Sequence, residues 1–276
     1  MSTAAPLAGV IGHPVGHSKS PVLHGHWLKR YAIAGHYVAL PVEPGHFETV
    51  VKTLPLMGFR GVNVTLPHKQ TAIEIADRVT DRAALIGAAN TLTFRDGRIL
   101  ADNTDGYGFI ESIRQTAPDW DPRSGPALVL GAGGASRAVV SALLDAGVQE
   151  LRIANRTRAR AEALRENFGA RVRVMDWAVL DRALDGAMTL VNTTSLGMEG
   201  QPPLTIDVTR LPDEALVTDI VYAPLETPVL RAAAAAGLRT VDGLGMLLHQ
   251  AVPGFEQWFG QRPEVDDALR AAVLAS

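Results

Sequence analysis

The sequence predicts an α/β protein made of two domains. Apolar runs suited to buried strands alternate with helical patterns along most of the chain, and this alternation indicates parallel sheets. The chain has 276 residues, which exceeds the roughly 100 to 200 residues of a typical domain. A glycine-rich turn at residues 131–134 follows one apolar run and opens a helical pattern. The fold class is therefore expected to be α/β in both halves.

In the first half, three strands alternate with three helices before a hairpin. The predicted strands are residues 7–11, 37–42 and 61–64, and the predicted helices are residues 21–32, 45–56 and 67 to about 76. Residues 90–94 are expected to pair with 98–101 around Asp96 and Gly97, a dipeptide typical of two-residue hairpin turns. A further helix is expected from 105 to 116. This half predicts an α/β domain with a mostly parallel sheet.

The second half predicts a doubly wound, Rossmann-type domain. A strand at 127–130, a helix at 135–146 that ends at Gly147 and a strand at 151–154 form one βαβ unit. Further strands are predicted at 172–174, 189–191, 216–220 and 239–241, and a helix at 243–258 is expected to kink near Pro253. The predicted domains are 1–105 joined by the C-terminal helices 244–276, and 106–243.

The βαβ unit and the residues after it predict a dinucleotide site that prefers NADP. The turn with Gly131, Gly133 and Gly134 lets a pyrophosphate approach the backbone at the N-terminus of a helix. The second strand ends at Asn155 and Arg156 rather than at the acidic residue that binds the ribose of NAD. Arginines bind a 2′-phosphate through charge-assisted bonds. The alternative explanation is that Arg156, Arg158 and Arg160 are solvent-exposed residues at the start of a helix and bind no ligand.

Composition excludes several classes of function. With 47% apolar residues, 20% charged residues and a net charge of −3, the chain is typical of globular proteins, and we expect no nucleic-acid partner. No cysteine is present, which excludes disulfides and thiolate metal sites and fits a reducing cytoplasm. No signal peptide and no apolar run long enough for a bilayer is found, so we expect no membrane partner. The histidines lack a carboxylate cluster, so we expect no metal.

Polar residues follow the predicted strands of the first half, where ligands of open α/β sheets bind. These residues are Ser18, Ser20, Asn63, Thr65, Lys69, Asn90, Asn103, Thr104 and Asp105. Hydroxyls and amides both donate and accept hydrogen bonds, so the set predicts a small polyhydroxylated substrate. Helix capping and turn formation are the alternative explanations for most of them. Lys69 is expected in the first turn of its helix, where the helix dipole disfavours a cation, and this favours a functional role.

Eight motifs in this order resemble the shikimate dehydrogenase family. They are GHPVGHSKSPVLH (12–24), NVTLPHK (63–69), GAANT (87–91), NTDG (103–106), GAGGASRA (131–138), NRT (155–157), NTTSLGM (192–198) and GLGMLLHQ (243–250). They cover nearly the whole chain. Two positions depart from the commonest pattern, since His13 stands where asparagine is usual and His68 where phenylalanine is frequent.

The resemblance implies reversible NADPH-dependent reduction of 3-dehydroshikimate to shikimate, in the pathway leading to chorismate and the aromatic amino acids. It implies that Lys69 and Asp105 are catalytic and flank the oxygen on the reacting carbon. The implied substrate-binding residues are Ser18, Ser20, Asn63, Thr65, Lys69, Asn90, Asp105, Tyr222 and Gln250. The implied cofactor-binding residues are Gly131, Ala132, Gly133, Gly134, Ala135, Asn155, Arg156, Thr157, Arg160, Thr193, Ile220, Gly243 and Met246. We expect a monomer or a homodimer.

Three alternatives remain open from the sequence. Quinate or aminoshikimate dehydrogenase activity is the nearest, because such substrates differ by one ring substituent; Ser18 and Ser20 favour shikimate by the same resemblance. A non-catalytic NADP-binding sensor would keep the fold, although the presence of Lys69 and Asp105 argues against it. An NADP-dependent reductase of another small acid is the third, because a fold alone does not fix a substrate.

Overall fold

The computed structural model describes residues 5–276 and divides into two compact units. The first unit comprises Met1–Thr104 and Leu248–Ser276, and the second comprises Asp105–Leu247. The first domain is predicted to run to residue 105, and the first segment of the observed unit ends at 104. The second domain is predicted to end at 243, and the observed unit ends at 247. Residues 1–4 of the predicted first domain lie outside the described part of the chain.

Each unit contains one six-stranded sheet. The strands are β1 (Leu7–Gly12), β2 (His36–Pro41), β3 (Phe59–Val64), β4 (Arg78–Val79), β5 (Thr91–Arg95), β6 (Arg98–Asp102), β7 (Ala127–Leu130), β8 (Leu151–Ala154), β9 (Val172–Met175), β10 (Thr189–Asn192), β11 (Leu216–Asp219) and β12 (Arg239–Val241). The orders are β2-β1-β3-β5-β6-β4 and β12-β11-β10-β7-β8-β9. The second sheet is parallel throughout, whereas β5 runs antiparallel to β3 and β6 in the first.

The helices connect the strands and cover the sheets. They are α1 (Ser20–Arg30), α2 (Phe47–Thr53), α3 (Thr71–Glu74), α4 (Asp81–Ile86), α5 (Asp105–Thr116), α6 (Gly134–Ala146), α7 (Arg158–Phe168), α8 (Leu180–Leu184), α9 (Pro228–Ala235), α10 (Gly243–Gln250), α11 (Val252–Phe259) and α12 (Asp267–Leu274). Short 3-10 turns flank α2, so the helix predicted at 45–56 is α-helical only at its centre. The predicted helix at 243–258 is two helices, with Pro253 in the first turn of the second.

The apolar runs become strands because both faces of each central strand are covered. All four residues of β7 are buried, and the same holds for β10 and β11. The hairpin turn forms as predicted, with positive φ at Asp96 and Gly97. In the first unit, helix α11 lies against β3 so closely that a Cβ at Gly61 would collide with the Trp258 side chain. Only glycine fits this position of the strand.

The prediction that the third helix begins at Pro67 is wrong. Residues 66–70 form a turn, and α3 has only four residues, Thr71–Glu74. The amide of Ile73 donates to the carbonyl of Gln70 at 3.0 Å, while the carbonyl of Lys69 accepts from the amide of Ala89 at 2.8 Å. Lys69 therefore lies before the helix. The dipole of α3 thus gives no reason to assign Lys69 a functional role, contrary to the prediction from the sequence.

Candidate functional site

Hydrogen bonds in the first unit join six polar residues, which we call the amide cluster. Its members are Tyr37, Asn63, Asn90, Thr91, Thr104 and Gln250. Three of them, Asn63, Asn90 and Gln250, are among the residues predicted to bind substrate. The cluster lies at the carboxyl end of β3, around the start of β5 and at the end of α10. It therefore brings together segments that are far apart in the sequence.

Asn90 is the centre of the amide cluster. Its Oδ1 accepts from the Thr104 amide at 2.8 Å and from the Thr91 hydroxyl at 3.0 Å. Its Nδ2 donates to Gln250 Oε1 at 3.2 Å, and the Thr104 hydroxyl donates to the Gln250 carbonyl at 2.8 Å. Asn90 is buried, with 3% of its surface exposed. Hydrogen bonding of this extent satisfies the polar groups that burial would otherwise leave unpaired.

The loop after β1 carries Ser18 and Ser20 beside the end of β3. Ser20 begins α1 and is buried, and its amide donates to Ser18 Oγ at 3.3 Å. A Cβ at Gly12 would lie 2.5 Å from Thr65 Cγ2, so the end of β1 approaches the Thr65 side chain closely. The amide of Thr65 donates to the carbonyl of Ile11 at 2.9 Å. These contacts place Ser18, Ser20 and Thr65 at the same end of the sheet as Asn63.

The two predicted catalytic residues lie in different units. Lys69 is half-buried in the turn before α3, and its carbonyl is bonded to the residue before Asn90. Asp105 is the first residue of α5 and of the second unit, and it directly follows Thr104. Tyr222 follows β11 in the second unit and is 38% exposed.

An ion pair between the exposed Arg82 and the buried Asp102 fixes the chain at the end of β6, just before Asp105. The Asp102 carboxylate accepts from Thr80 Oγ1 and Arg82 Nε, each at 2.7 Å, and from the amide of Asn103. Burial opposes ionisation of Asp102, but the bonds from Arg82 and Thr80 prevail and hold the pKa of this carboxyl below its usual value. Sequence reasoning missed this pair, because Arg82 and Asp102 belong to different elements.

The glycine-rich turn in the second unit has the backbone that the sequence predicts. Gly131 has φ of +107°, and a Cβ there would lie 2.6 Å from Thr193 Oγ1. A Cβ at Gly133 or Gly134 would have no neighbour within 4 Å, so the backbone at the start of α6 is open. Ser136 stands where the usual motif has its third glycine. Its hydroxyl accepts from the Gly133 amide at 3.1 Å and contacts Thr193 Oγ1 at 2.6 Å.

The arginines after β8 differ in their partners. Arg158 forms an ion pair with Glu162 at 2.9 Å, one turn further along α7. Arg156 and Arg160 are exposed and form no ion pair with any residue of the described chain. The Asn155 side chain donates to the Thr157 carbonyl at 2.8 Å and so shapes the turn that carries them. Of the three arginines, these two are available for an added phosphate.

A buried carboxylate connects the ends of β10 and β11. Asp219 accepts from Asn192 Nδ2 at 3.1 Å, from the Val221 amide at 3.0 Å and from Thr227 Oγ1 at 2.8 Å. Burial raises the pKa of Asp219, and these bonds only partly offset the rise. A Cβ at Gly243 would collide with the backbone of Ile220. Predicted cofactor residues Ile220 and Gly243 are therefore in contact, while Thr193 lies against Gly131.

Residues 5–276 contain neither a metal-binding cluster nor a helix suited to span a membrane. No group of three or more histidine, aspartate or glutamate side chains could hold a metal ion there. Within the same residues, no helix has both the length and the hydropathy needed to cross a bilayer.

Three family models match successive parts of the chain. A model described as the shikimate dehydrogenase substrate binding domain matches residues 10–92. A model described as shikimate / quinate 5-dehydrogenase matches residues 115–197. A model described as the shikimate 5′-dehydrogenase C-terminal domain matches residues 243–273.

Relatives and solved structures match over nearly the whole chain. Shikimate dehydrogenase (NADP(+)) of Paracoccus denitrificans strain Pd 1222 is 68% identical, over 98% of this chain and 96% of the relative. Shikimate 5-dehydrogenase from Thermus thermophilus, solved in complex with NADP(H) and shikimate, is 39% identical with a TM-score of 0.86 over 98% of each chain. Quinate dehydrogenase from Corynebacterium glutamicum in complex with NAD is 31% identical with a TM-score of 0.91 over 99% of each chain.

The α/β fold of both units, the glycine-rich turn of the second and the full-length similarity agree with one another. The resemblance seen in the eight motifs is thus confirmed, and the chain belongs to the NADP-dependent shikimate dehydrogenase family.

Proposed function

We propose that the protein catalyses the reversible NADPH-dependent reduction of 3-dehydroshikimate to shikimate. The proposal includes a place in the pathway to chorismate and the aromatic amino acids, a cytoplasmic location, and a monomeric or homodimeric state. The observation that carries it is the amide cluster, which gathers donors and acceptors suited to a ligand with several hydroxyl groups. Membership of the family narrows the ligand to shikimate and its ketone.

The residues proposed to hold the substrate have separate tasks. The carboxylate and hydroxyls of the substrate are bound by Ser18, Ser20, Asn63, Thr65, Asn90, Tyr222 and Gln250. Reduction adds a hydride to the carbonyl carbon and a proton to the oxygen, so a donor within hydrogen-bonding reach of that oxygen stabilises the charge that develops there. Lys69 is the proposed general acid and base. Asp105 is proposed to orient Lys69 and to bind the substrate hydroxyl.

The residues proposed to hold NADP fit a dinucleotide phosphate. The open backbone at Gly133 and Gly134 suits a pyrophosphate at the N-terminus of α6. Arg156 and Arg160, with Asn155 and Thr157, suit the 2′-phosphate. The remaining proposed contacts are Gly131, Ala132, Ala135, Thr193, Ile220, Gly243 and Met246. When bound, NADPH supplies the hydride.

Nicotinamide absorbance tests the proposed reaction directly. We expect the purified protein to reduce NADP when shikimate is added. The Lys69→Ala variant should lower kcat by roughly 100-fold or more, because it removes the group proposed to take the proton from the shikimate hydroxyl in this direction. Lys52→Ala is the control, since Lys52 is an exposed lysine paired with Glu48. A Lys69→Ala variant with the turnover number of the wild type would remove Lys69 from the mechanism.

Quinate dehydrogenase activity is the second candidate. It is favoured by the TM-score of 0.91 to a quinate dehydrogenase and by the shikimate / quinate family model. We expect kcat/KM to be higher for shikimate than for quinate and higher with NADP than with NAD. A clear preference for quinate would replace the proposed substrate.

A further inference from the structure

Tyr37 is a buried residue of the first unit that the proposed mechanism does not use. Its hydroxyl donates to Asn63 Oδ1 at 2.7 Å. Burial raises the pKa of Tyr37 well above its usual value, although a hydrogen bond with the Ser20 side chain partly offsets the rise. The phenol is therefore a neutral donor. It lies between two residues proposed to bind substrate, Ser20 and Asn63.

The ring of Tyr37 is held in one plane by stacking. The imidazole of His24 lies parallel to it, with the ring centroids 3.9 Å apart and 4° between the planes. Both rings are buried, since Tyr37 is 8% exposed and His24 is fully buried. A phenol fixed in this way directs its hydroxyl along one line. The direction of the bond to Asn63 is therefore set by packing as well as by the bond itself.

The surroundings of Asn63 determine which way its amide faces. Asn63 Nδ2 lies 3.2 Å from the carbonyl oxygen of Asn90, and a backbone carbonyl can only accept a hydrogen bond. The amide nitrogen must therefore face Asn90, and Oδ1 must face Tyr37. The second N–H of Asn63 donates to Thr91 Oγ1 at 3.3 Å, while the Thr91 hydroxyl donates to Asn90 Oδ1. Both donors of the Asn63 side chain are thus committed within the protein.

We propose that Tyr37 is a positioning residue whose hydroxyl, held between Ser20 and Asn63, holds the Asn63 side chain in place, so that the acceptor oxygen Oδ1, and not the donors already committed to Asn90 and Thr91, is offered to the substrate. The proposal rests on the proposed function, because it assigns a partner for one hydroxyl of a polyhydroxylated substrate. That substrate hydroxyl must be the donor in its bond with Asn63. Tyr37 itself acts through Asn63.

Kinetics of the Tyr37→Phe variant test the inference. The variant keeps the ring and its stacking and removes only the hydroxyl. We expect the KM for shikimate to rise about tenfold, with kcat and the KM for NADP within about twofold of the wild type, because a binding contact remote from the reacting carbon is weakened. In an Asn63→Ala background the same substitution should change the KM by less than about twofold, since a residue that acts through Asn63 has no effect without it.

Thr93→Val is the matched control. Thr93 is buried in the same sheet, and its hydroxyl bonds Gln257 and Trp258 rather than the amide cluster. This variant should lose stability without a change in the KM for shikimate. A Tyr37→Phe variant with an unaltered KM, or with the same fractional rise in the Asn63→Ala background, would overturn the inference. If the wild type does not turn over shikimate at all, the proposed function fails and the inference fails with it.

A second measurement does not depend on the folding of the phenylalanine variant. Tyr37 is replaced by 3-fluorotyrosine, which keeps the hydroxyl, and its fluorine resonance is followed by NMR. We expect the resonance to shift on saturation with shikimate and to stay unchanged with NADP alone. A resonance that does not respond to shikimate would contradict the inference.

Discussion

At the scale of single residues, two buried histidines pack against aromatic rings. His24 stacks on Tyr37 and lies near Trp27, Phe255 and Trp258. His68, at a position where the family often has phenylalanine, stacks on Phe47 with the centroids 4.5 Å apart. Its Nε2 also contacts the Val42 carbonyl at 2.8 Å. The departure from phenylalanine at position 68 thus preserves the aromatic contact and adds a polar one.

The burial of His24 predicts an acid-sensitive contribution to stability. Desolvation lowers the pKa of His24 from 6.5 to about 3, and a contact with Asn63 only partly offsets this. The unfolded chain therefore binds a proton at His24 below about pH 6.5, while the folded chain does not until about pH 3. Over this interval stability falls with falling pH, by up to about 1.4 kcal/mol per pH unit from this residue.

Urea denaturation at pH 7.5 and pH 5.0 measures this contribution. We expect His24→Phe to reduce the loss of unfolding free energy between these pH values by roughly 2 kcal/mol. Leu23→Val is the control, because Leu23 is buried in the same helix and does not titrate. It should lower stability equally at both pH values. An unchanged pH dependence in His24→Phe would show that this histidine is not the responsible group.

At the scale of elements, the N-terminal ends of two helices in the second unit are specialised in different ways. Helix α6 begins with exposed glycines, and its first turn is closed by the Ser136 hydroxyl rather than by a third glycine. Helix α7 begins with Arg158, which forms an ion pair with Glu162, and its first turn also carries Arg160, which forms none with the described residues. Between β10 and β11, Asp219 fixes the loops that follow each strand through bonds to Asn192 and Thr227.

The start of α7 predicts unequal roles for its arginines. We expect Arg160→Ala to raise the KM for NADP about tenfold or more and to leave the KM for NAD nearly unchanged, because only NADP carries the 2′-phosphate. Arg158→Ala is the matched control in the same turn. Since Arg158 is paired with Glu162, its removal should have a much smaller effect on the KM for NADP. Equal effects of the two substitutions would contradict the assignment of the phosphate to Arg156 and Arg160.

At the scale of the whole molecule, each unit has its own core. In the first unit, a cluster of buried apolar residues includes Phe47, Val62 and Leu92. Two clusters pack in the second unit, one on Val129 and Leu143 and one on Leu128 and Leu190. Neighbouring residues of β7 thus face different clusters, as the alternation of side chains along a strand requires.

Separate cores predict separate responses to the two ligands. In hydrogen exchange, we expect shikimate to give its strongest protection at residues 61–65 and 88–104, and NADP at residues 131–136 and 154–160, since binding to the folded state suppresses local opening. Helix α9 carries no proposed ligand contact and serves as the internal reference. Strongest protection of the first unit by NADP would contradict the assignment of the two sites.

Much of this fold follows from local sequence patterns, whereas the site depends on distant contacts. The strand β12 and the hairpin turn at 96–97 have the predicted bounds, because apolar runs and positive-φ dipeptides act locally. The error at Lys69 has a different origin, since its carbonyl is taken by Ala89, a residue well beyond the next helix. Tyr37 was missed for the same reason: its partner Asn63 is on another strand. Positions after the predicted strands grouped most of the polar candidates of the first unit, whereas Tyr222 and Gln250 were indicated only by the resemblance to the family.

The chain that follows the second unit supplies part of the first. Trp258 donates to the Leu92 carbonyl at 3.2 Å, and the Trp27 indole donates to the carbonyl of Glu264 at 2.8 Å. During synthesis, residues 5–104 leave the ribosome long before the helices that cover their sheet. We therefore expect the middle segment to acquire its native structure first on the nascent chain. The earlier-made segment must wait for residues 248–276, and until then it exposes an apolar sheet face that chaperones can bind.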